Sequence, residues 1–264
     1  MQIIETEHAA RTSPETKRFE QHSDGEDRRF SDPLVAQIVE TWRARQDMVR
    51  AQQKLTLQIK SICRRFTAGD KTEAEKLYKS MQNGREHPMA ESAHMACIGL
   101  LMARVPLEEQ RKGYEKTLAK LGKSLPIAHA CDDIKGVNSM TLASIVGECG
   151  DLSAYPSVAG VWKRAGLAVI EGERQRKKAG DAALLHGYAP ARHAVFWNIG
   201  AALIKAQGKD DAAGPYRRIY DERKEYERPR VDTDGHAHNR AMRYMVKRLM
   251  KNLTLEWRRV NRGE

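Results

Sequence analysis

Apolar positions recur along this chain at helical spacing, in blocks separated by short polar breaks. The first block begins at Ser31-Asp32-Pro33, where Asp32 is placed to cap free helix N–H groups and Pro33 suits the first helical position. Leu34, Ile38, Trp42, Val49, Leu55, Ile59 and Ile62 then fall close to one stripe running through Arg65. A helix that long, and polar elsewhere, is predicted to be one arm of an antiparallel helical hairpin or coiled coil. Thr72 to Met81 continues as a second helix, broken by Asn83-Gly84. Met89 to Ala103 reads as a small-residue and aliphatic helix packed on both sides. Pro106 is expected to open another helix, with Leu107, Tyr114, Leu118 and Leu121 on one face, ended by Gly122 and Pro126. Residues 1–30 are polar, punctuated by Ser13-Pro14 and Asp24-Gly25, and are expected to lack fixed structure.

The second half repeats the pattern with shorter pieces. A turn at Ile134-Lys135-Gly136-Val137 precedes a small-residue helix over Thr141 to Glu148, and a loop leads to a second helix ending at Ala165-Gly166-Leu167. Tyr188-Ala189-Pro190 precedes a helix from Ala191 to Gln207 with Val195, Phe196, Ile199, Leu203 and Ile204 facing a core. Gly214-Pro215 starts a helix in which Tyr216, Ile219, Tyr220 and Tyr226 are packing residues. The last helix, Ala237 to Arg259, turns Met242, Met245, Val246, Leu249, Leu253 and Trp257 inward and leaves Arg240, Arg243, Lys247, Lys251 and Arg258 on other faces. Val137 and Val169-Ile170 are too brief to found a sheet. The expected fold is all-α, with a helical hairpin or coiled coil over 31–125 followed by a helix-hairpin-helix-containing domain over 130–264.

Turn, helix, turn, helix with a glycine in the first turn is how a helix-hairpin-helix presents backbone N–H groups to a phosphate. Glycine allows close approach and positive φ, and the helix N-terminus behind it supplies free donors and a favourable dipole. Lys135, Gly136, Asn138 and Ser139 are the candidate phosphate contacts on this reading. A buried helical hairpin without a ligand is the alternative. His236 and His238, two residues apart, do not share a helix face and make no metal pair.

Two further blocks narrow the choice. The run from Glu148 to Ser157, ECGDLSAYPS, followed by Gly166-Leu167, resembles the C-terminal domain of the insertion sequence 110/116/902 transposases, which carry a "GIG…AEIGDLSRFPS…AGL"-like run, then a basic glycine-containing loop and a long helix. Gly235 to Leu249 looks like that family's closing helix. The resemblance covers roughly residues 130 to 259, several motifs in one order. It implies a DNA-binding domain over 130–264 that acts in DNA transposition or recombination. It also implies a counterpart of the family's coiled coil over 33–125, used there for dimer contacts, and hence a homo-oligomer. A helical bundle with no partner is the alternative for that segment. Where the family has a basic turn, this chain reads His186 to His193, and Arg192 is the position that carries over as a phosphate contact.

The departures concern catalysis. The family's turn has a second glycine where this chain has Asn138, a residue that tolerates left-handed backbone. The family's proposed nucleophile is a serine soon after the "AGL" run, yet residues 168–178 contain none and no serine follows Ser157. The family's N-terminal RNase H-like domain supplies metal-binding carboxylates, and nothing before residue 130 reads that way. No catalytic residue, metal ligand or cofactor is therefore assigned. Tyr188 has a hydroxyl near the loop and nothing else to recommend it. An active transposase subunit completed by a partner chain and a structured-RNA-binding protein are the alternative functions.

Charge changes the picture more than composition does. The chain has 46 Lys and Arg against 35 Asp and Glu, a net +11. Residues 160–264 hold 23 of the basic and 13 of the acidic residues, so +10 of that excess lies beside and after the hairpin motif. A one-sided excess is the footprint of a polyanion partner, here DNA, duplex or branched, with structured RNA as the alternative. Arg174, Arg176, Lys177 and Lys178 in the loop are its electrostatic candidates. A plain oligomeric scaffold is the reading that predicts no such partner. Cysteines at 63, 97, 131 and 149 match no zinc spacing and are expected to be buried free thiols. No apolar stretch approaches about 18 residues and the N-terminus lacks the apolar core of a secretion signal, which points to the cytoplasm and away from a membrane.

Overall fold

The computed structural model describes residues 29–84 and 86–263. The fold is all-α. Ten helices are described: α1 (Pro33–Phe66), α2 (Lys71–Asn83), α3 (Ala90–Lys123), α4 (Ala128–Asp132), α5 (Ser139–Cys149), α6 (Val158–Arg164), α7 (Asp181–His186), α8 (Pro190–Ala206), α9 (Pro215–Glu227) and α10 (Asp234–Asn261). A two-residue hairpin, β1 (Val169–Ile170) with β2 (Glu173–Arg174), lies between α6 and α7. The expected unstructured tail lies outside the described residues, save Arg29 and Phe30, and the Arg29 carbonyl accepts from the Asp151 amide at 3.1 Å.

The chain forms two compact units. The arm unit comprises residues 37–128 and 138–147; the basic unit comprises 129–137 and 148–263 with 29–36. One crossing between them, at 128/129, falls where the sequence divides. The chain also crosses at 36/37, 137/138 and 147/148.

Local chemistry sets the ends of the arm helices. Asp32 Oδ1 accepts from the amides of Leu34 (2.7 Å) and Val35 (3.1 Å), which starts α1 where expected. Asp70 caps α2 through Thr72 and Glu73, and Gly84 ends it in left-handed backbone. Ile59 and Cys63 of α1 pack with Leu77 and Tyr78 of α2 and Ala93 and Cys97 of α3. Arg45 pairs with Glu115 at 2.8 Å, so later residues of α3 meet earlier residues of α1 and the two run antiparallel. At the far end Gly122 is a close-approach residue: a Cβ there would stand 2.0 Å from the Ser139 carbonyl oxygen.

Two expectations for α3 need correction. One helix runs from Ala90 to Lys123 with Pro106 inside it, where two were expected. Pro106 sits on the exposed side, where water can reach the carbonyl that its missing N–H leaves unbonded. Nor is the Met89–Ala103 segment covered on both sides. Ala93 and Cys97 are buried, whereas Met95, Ile98 and Met102 are 65%, 44% and 68% exposed.

In the basic unit α10 is the central helix. Met242, Met245, Val246, Leu249, Leu253 and Trp257 are buried as the periodicity predicts. The helix packs against α8, α9 and α6, which bury Phe196, Ile199 and Leu203, Tyr216 and Tyr220, and Val161 respectively. Tyr226 was expected to pack and is instead 49% exposed, its ring covered by the guanidiniums of Arg223 and Arg230.

All four cysteines are free and buried. Burial pushes Cys131 up to about 11 and Cys149 to about 12, and raises Cys63 and Cys97. Since the thiolate is the reactive form, the native protein should resist iodoacetamide at pH 8 and take four adducts only in denaturant, read by mass. Alkylation of native protein at free-thiol rates would contradict the burial. The same shifts make stability fall in alkali. The unfolded chain releases its thiol protons from pH 9 upward, while folded Cys131 and Cys149 hold theirs until about 11 and 12. Stability present below pH 9 is lost across that window, a fall that thermal melts at increasing pH will read.

Candidate nucleic-acid interface

The basic loop is a constructed element. Glu171 (φ 51°) and Gly172 (φ 77°) form a two-residue turn with both residues left-handed, the turn that suits the strand twist of a tight hairpin. The next residue but two, Gln175, is 2% exposed. Its Nε2 donates to the carbonyls of Lys163 (2.9 Å) and His186 (2.5 Å), and its Oε1 accepts from the Ala168 amide (3.1 Å). Its own amide donates to the Ala168 carbonyl at 3.0 Å. One buried amide thus ties the loop to the end of α6 and the end of α7. Neighbours of a buried residue in extended backbone point the other way, so Arg174 and Arg176 face out. Arg176 and Lys178 both reach the Glu173 carboxylate, at 3.0 and 2.8 Å, which offsets part of their charge and orders them.

Helix α10 adds a second set of cations. Arg243 Nη2 donates to the carbonyls of Leu167 (2.8 Å) and Ala168 (2.6 Å), so α10 and the base of the hairpin are joined. Arg240, Arg243 and Lys247, spaced three and four apart, share the face of α10 that carries this contact. Trp162 Nε1 donates to the Lys247 carbonyl at 3.0 Å, and the Lys247 ammonium lies 4.0 Å over the Trp162 ring. Burial lowers Arg243, and the charge of Arg174 lowers it further. Burial and then Arg243 lower Lys247; burial, then Arg243 and Arg174, lower His193. Basic groups from three elements, β2, α8 and α10, therefore lie within the field of Arg243, which is a local positive potential.

The other predicted contacts are placed differently. Gly136 does adopt positive φ (94°), but a Cβ there would come within 3.1 Å of Leu203 Cα and Ala206 Cβ, so packing on α8 accounts for the glycine. The carbonyl of Lys135 accepts from Gln207 Nε2 at 2.9 Å, while its side chain is exposed. Asn138 Oδ1 accepts from the Thr141 amide (2.8 Å) and hydroxyl (3.0 Å), acting as a cap for α5; Ser139, the first residue of that helix, is half-buried. Lys135 and Gly136 belong to the basic unit, Asn138 and Ser139 to the arm unit. Arg192 pairs with Glu148 at 3.2 Å and donates to the Arg164 carbonyl, so its guanidinium holds α8 to the end of α5. Tyr188 stacks at 5.5 Å on His193, both against Gly166, and His238 Nδ1 shares a 2.7 Å hydrogen bond with the Tyr220 hydroxyl.

The sequence placed Arg240, Arg243 and Lys247 on outer faces of the last helix without making them contacts, and gave no role to Gln175. The spacing of those three on one helix face was a visible signal; the buried glutamine inside a basic run was not. Among the described residues no group of three or more His, Cys, Asp or Glu side chains is arranged to hold a metal, and no helix is long and apolar enough to cross a membrane. Comparison with family models, with curated proteins and with solved structures returns no match for this chain.

Proposed function

We propose that this chain binds DNA in transposition or recombination, as a divergent relative of the insertion sequence 110/116/902 transposases that lacks their serine. The observation that carries the reading is the basic hairpin, pinned by Gln175 and joined through Arg243 to a basic face of α10. Phosphates bind to such a surface through charge and guanidinium geometry without reading sequence. On this reading the phosphates meet the hairpin and α10 in preference to the turn at 134–139, where Gly136 packs on α8 and Asn138 caps α5. Fluorescence anisotropy with labelled duplex, four-way junction and structured RNA at one moderate salt tests it. Tighter binding of either DNA than of RNA is expected; RNA bound tighter than both would transfer the function to RNA.

The homo-oligomer belongs to the same proposal. Met95, Ile98, Met102 and Val105 on α3 follow the three-four-three spacing of a coiled-coil seam and are all largely exposed. An apolar stripe of that kind on one helix marks an interaction surface, and its repeat matches another copy of the same helix. Light scattering should give a dimer, with Met102→Glu shifting it to monomer. A wild-type monomer at the highest soluble concentration would remove the oligomer.

A further inference from the structure

A recess of about 290 Å³ opens between α9 and α10, lined by Arg223, Glu227, Arg240, Arg243, Tyr244 and Lys247. We propose that it seats the terminal phosphate of a nucleic-acid strand, a phosphomonoester with part of its sugar. The inference rests on the nucleic-acid interface proposed above and names a ligand group for one part of it.

Four cations line the recess against a single carboxylate. Glu227 is 2% exposed, and its two oxygens are taken by Arg223 and by Arg240, the latter at 2.9 Å. That carboxylate therefore serves to fix two guanidiniums in place. Arg243 donates to two backbone carbonyls, which accept its N–H groups without cancelling its charge. Lys247 rests on the Trp162 ring, another contact that leaves the charge in place. Arg223, held between the rings of Tyr226 (4.6 Å) and Tyr244 (4.8 Å), has a buried Nε without a hydrogen-bond acceptor.

The charge decides which phosphate. An internal phosphodiester carries one negative charge and is met on open surfaces by one or two cations. A phosphomonoester carries between about 1.5 and 2 negative charges on three acceptor oxygens. A concave site with a net excess of three positive charges matches the second. The recess also exceeds one phosphate group in size, which leaves room for the attached sugar beside the Tyr244 ring.

The test compares one labelled duplex carrying 5′-phosphate, 3′-phosphate or hydroxyl ends, titrated with wild type, Lys247→Gln and Arg240→Gln. A preference of about tenfold for one phosphorylated end is expected in wild type, the size of one or two charge-assisted hydrogen bonds. That ratio should collapse towards one in Lys247→Gln, with thermal melts confirming that the variant folds. Inorganic phosphate should also compete better than chloride at equal ionic strength. Equal binding of phosphorylated and hydroxyl ends by wild type would overturn the seat and leave the interface standing. A preference kept in both variants would overturn its placement. Absence of binding to all three duplexes would remove the interface, and the seat with it.

Discussion

Replacing Arg174, Arg176, Lys177 and Lys178 together by glutamine should lower the slope of log K against log salt on duplex DNA by about two to three units, and weaken binding by at least about a hundredfold at low salt. Each phosphate-bound cation releases close to one counterion, so four charges set the size of the change. The loss should be uniform across sequences, because phosphate contacts of the kind proposed carry no sequence information. Two of the four are shared with Glu173, so Glu173→Gln should strengthen binding modestly by freeing them. A quadruple variant with unchanged slope would place the bound phosphates elsewhere on the chain. Anisotropy titrations at four or five salt concentrations are enough to read both numbers.

Gln175→Met is the second large effect, and it acts through position. Methionine keeps the volume and removes three side-chain hydrogen bonds, which leaves the carbonyls of Lys163 and His186 and the amide of Ala168 without that partner. Buried groups stranded in this way cost about 1–3 kcal/mol each, so a total of roughly 3 kcal/mol is expected after partial relaxation. In a chain of this size that lowers the melting temperature by roughly 6–12 °C. Gln175→Glu should be worse, since a carboxylate oxygen would face two carbonyl oxygens, and its deficit should shrink as pH falls and the acid becomes protonated. DNA affinity should drop with either variant although neither removes a positive charge. Calorimetric melts showing both variants at wild-type stability would mean that the loop is not held through this amide.

Much of the helical layout was legible because its signals are local. Asp32-Pro33, Asn83-Gly84, Ala189-Pro190 and Gly214-Pro215 each mark a helix end through capping or φ preference, and α1, α2, α8 and α9 begin or end there. The inward face of α10 follows from spacing alone. Pro106 misled for an equally physical reason: the residue disfavours a helix interior, yet here water reaches the freed carbonyl and the helix continues on both sides through its packing on α1 and α2. The hairpin turn Glu171-Gly172 was missed because glutamate is a poor marker for left-handed backbone.

The site was harder to read, since its parts meet only in three dimensions. Arg243 reaches Leu167 across 76 positions, and Arg192 meets Glu148 across 44. Nothing local distinguishes an arginine that spends its charge on a buried glutamate from one that keeps it for a phosphate. Gly136 shows the converse. Its positive φ was predictable, but the close neighbour that makes glycine necessary is α8.

Binding of wild-type protein to duplex DNA across a salt series tests the central claim most directly. Seven cations on the hairpin and α10, two of them partly neutralised by Glu173 and one by Glu227, predict a straight line with a slope of about −5. Flat binding, or none at low salt, would contradict the interface and leave the chain as an oligomeric scaffold with a basic surface.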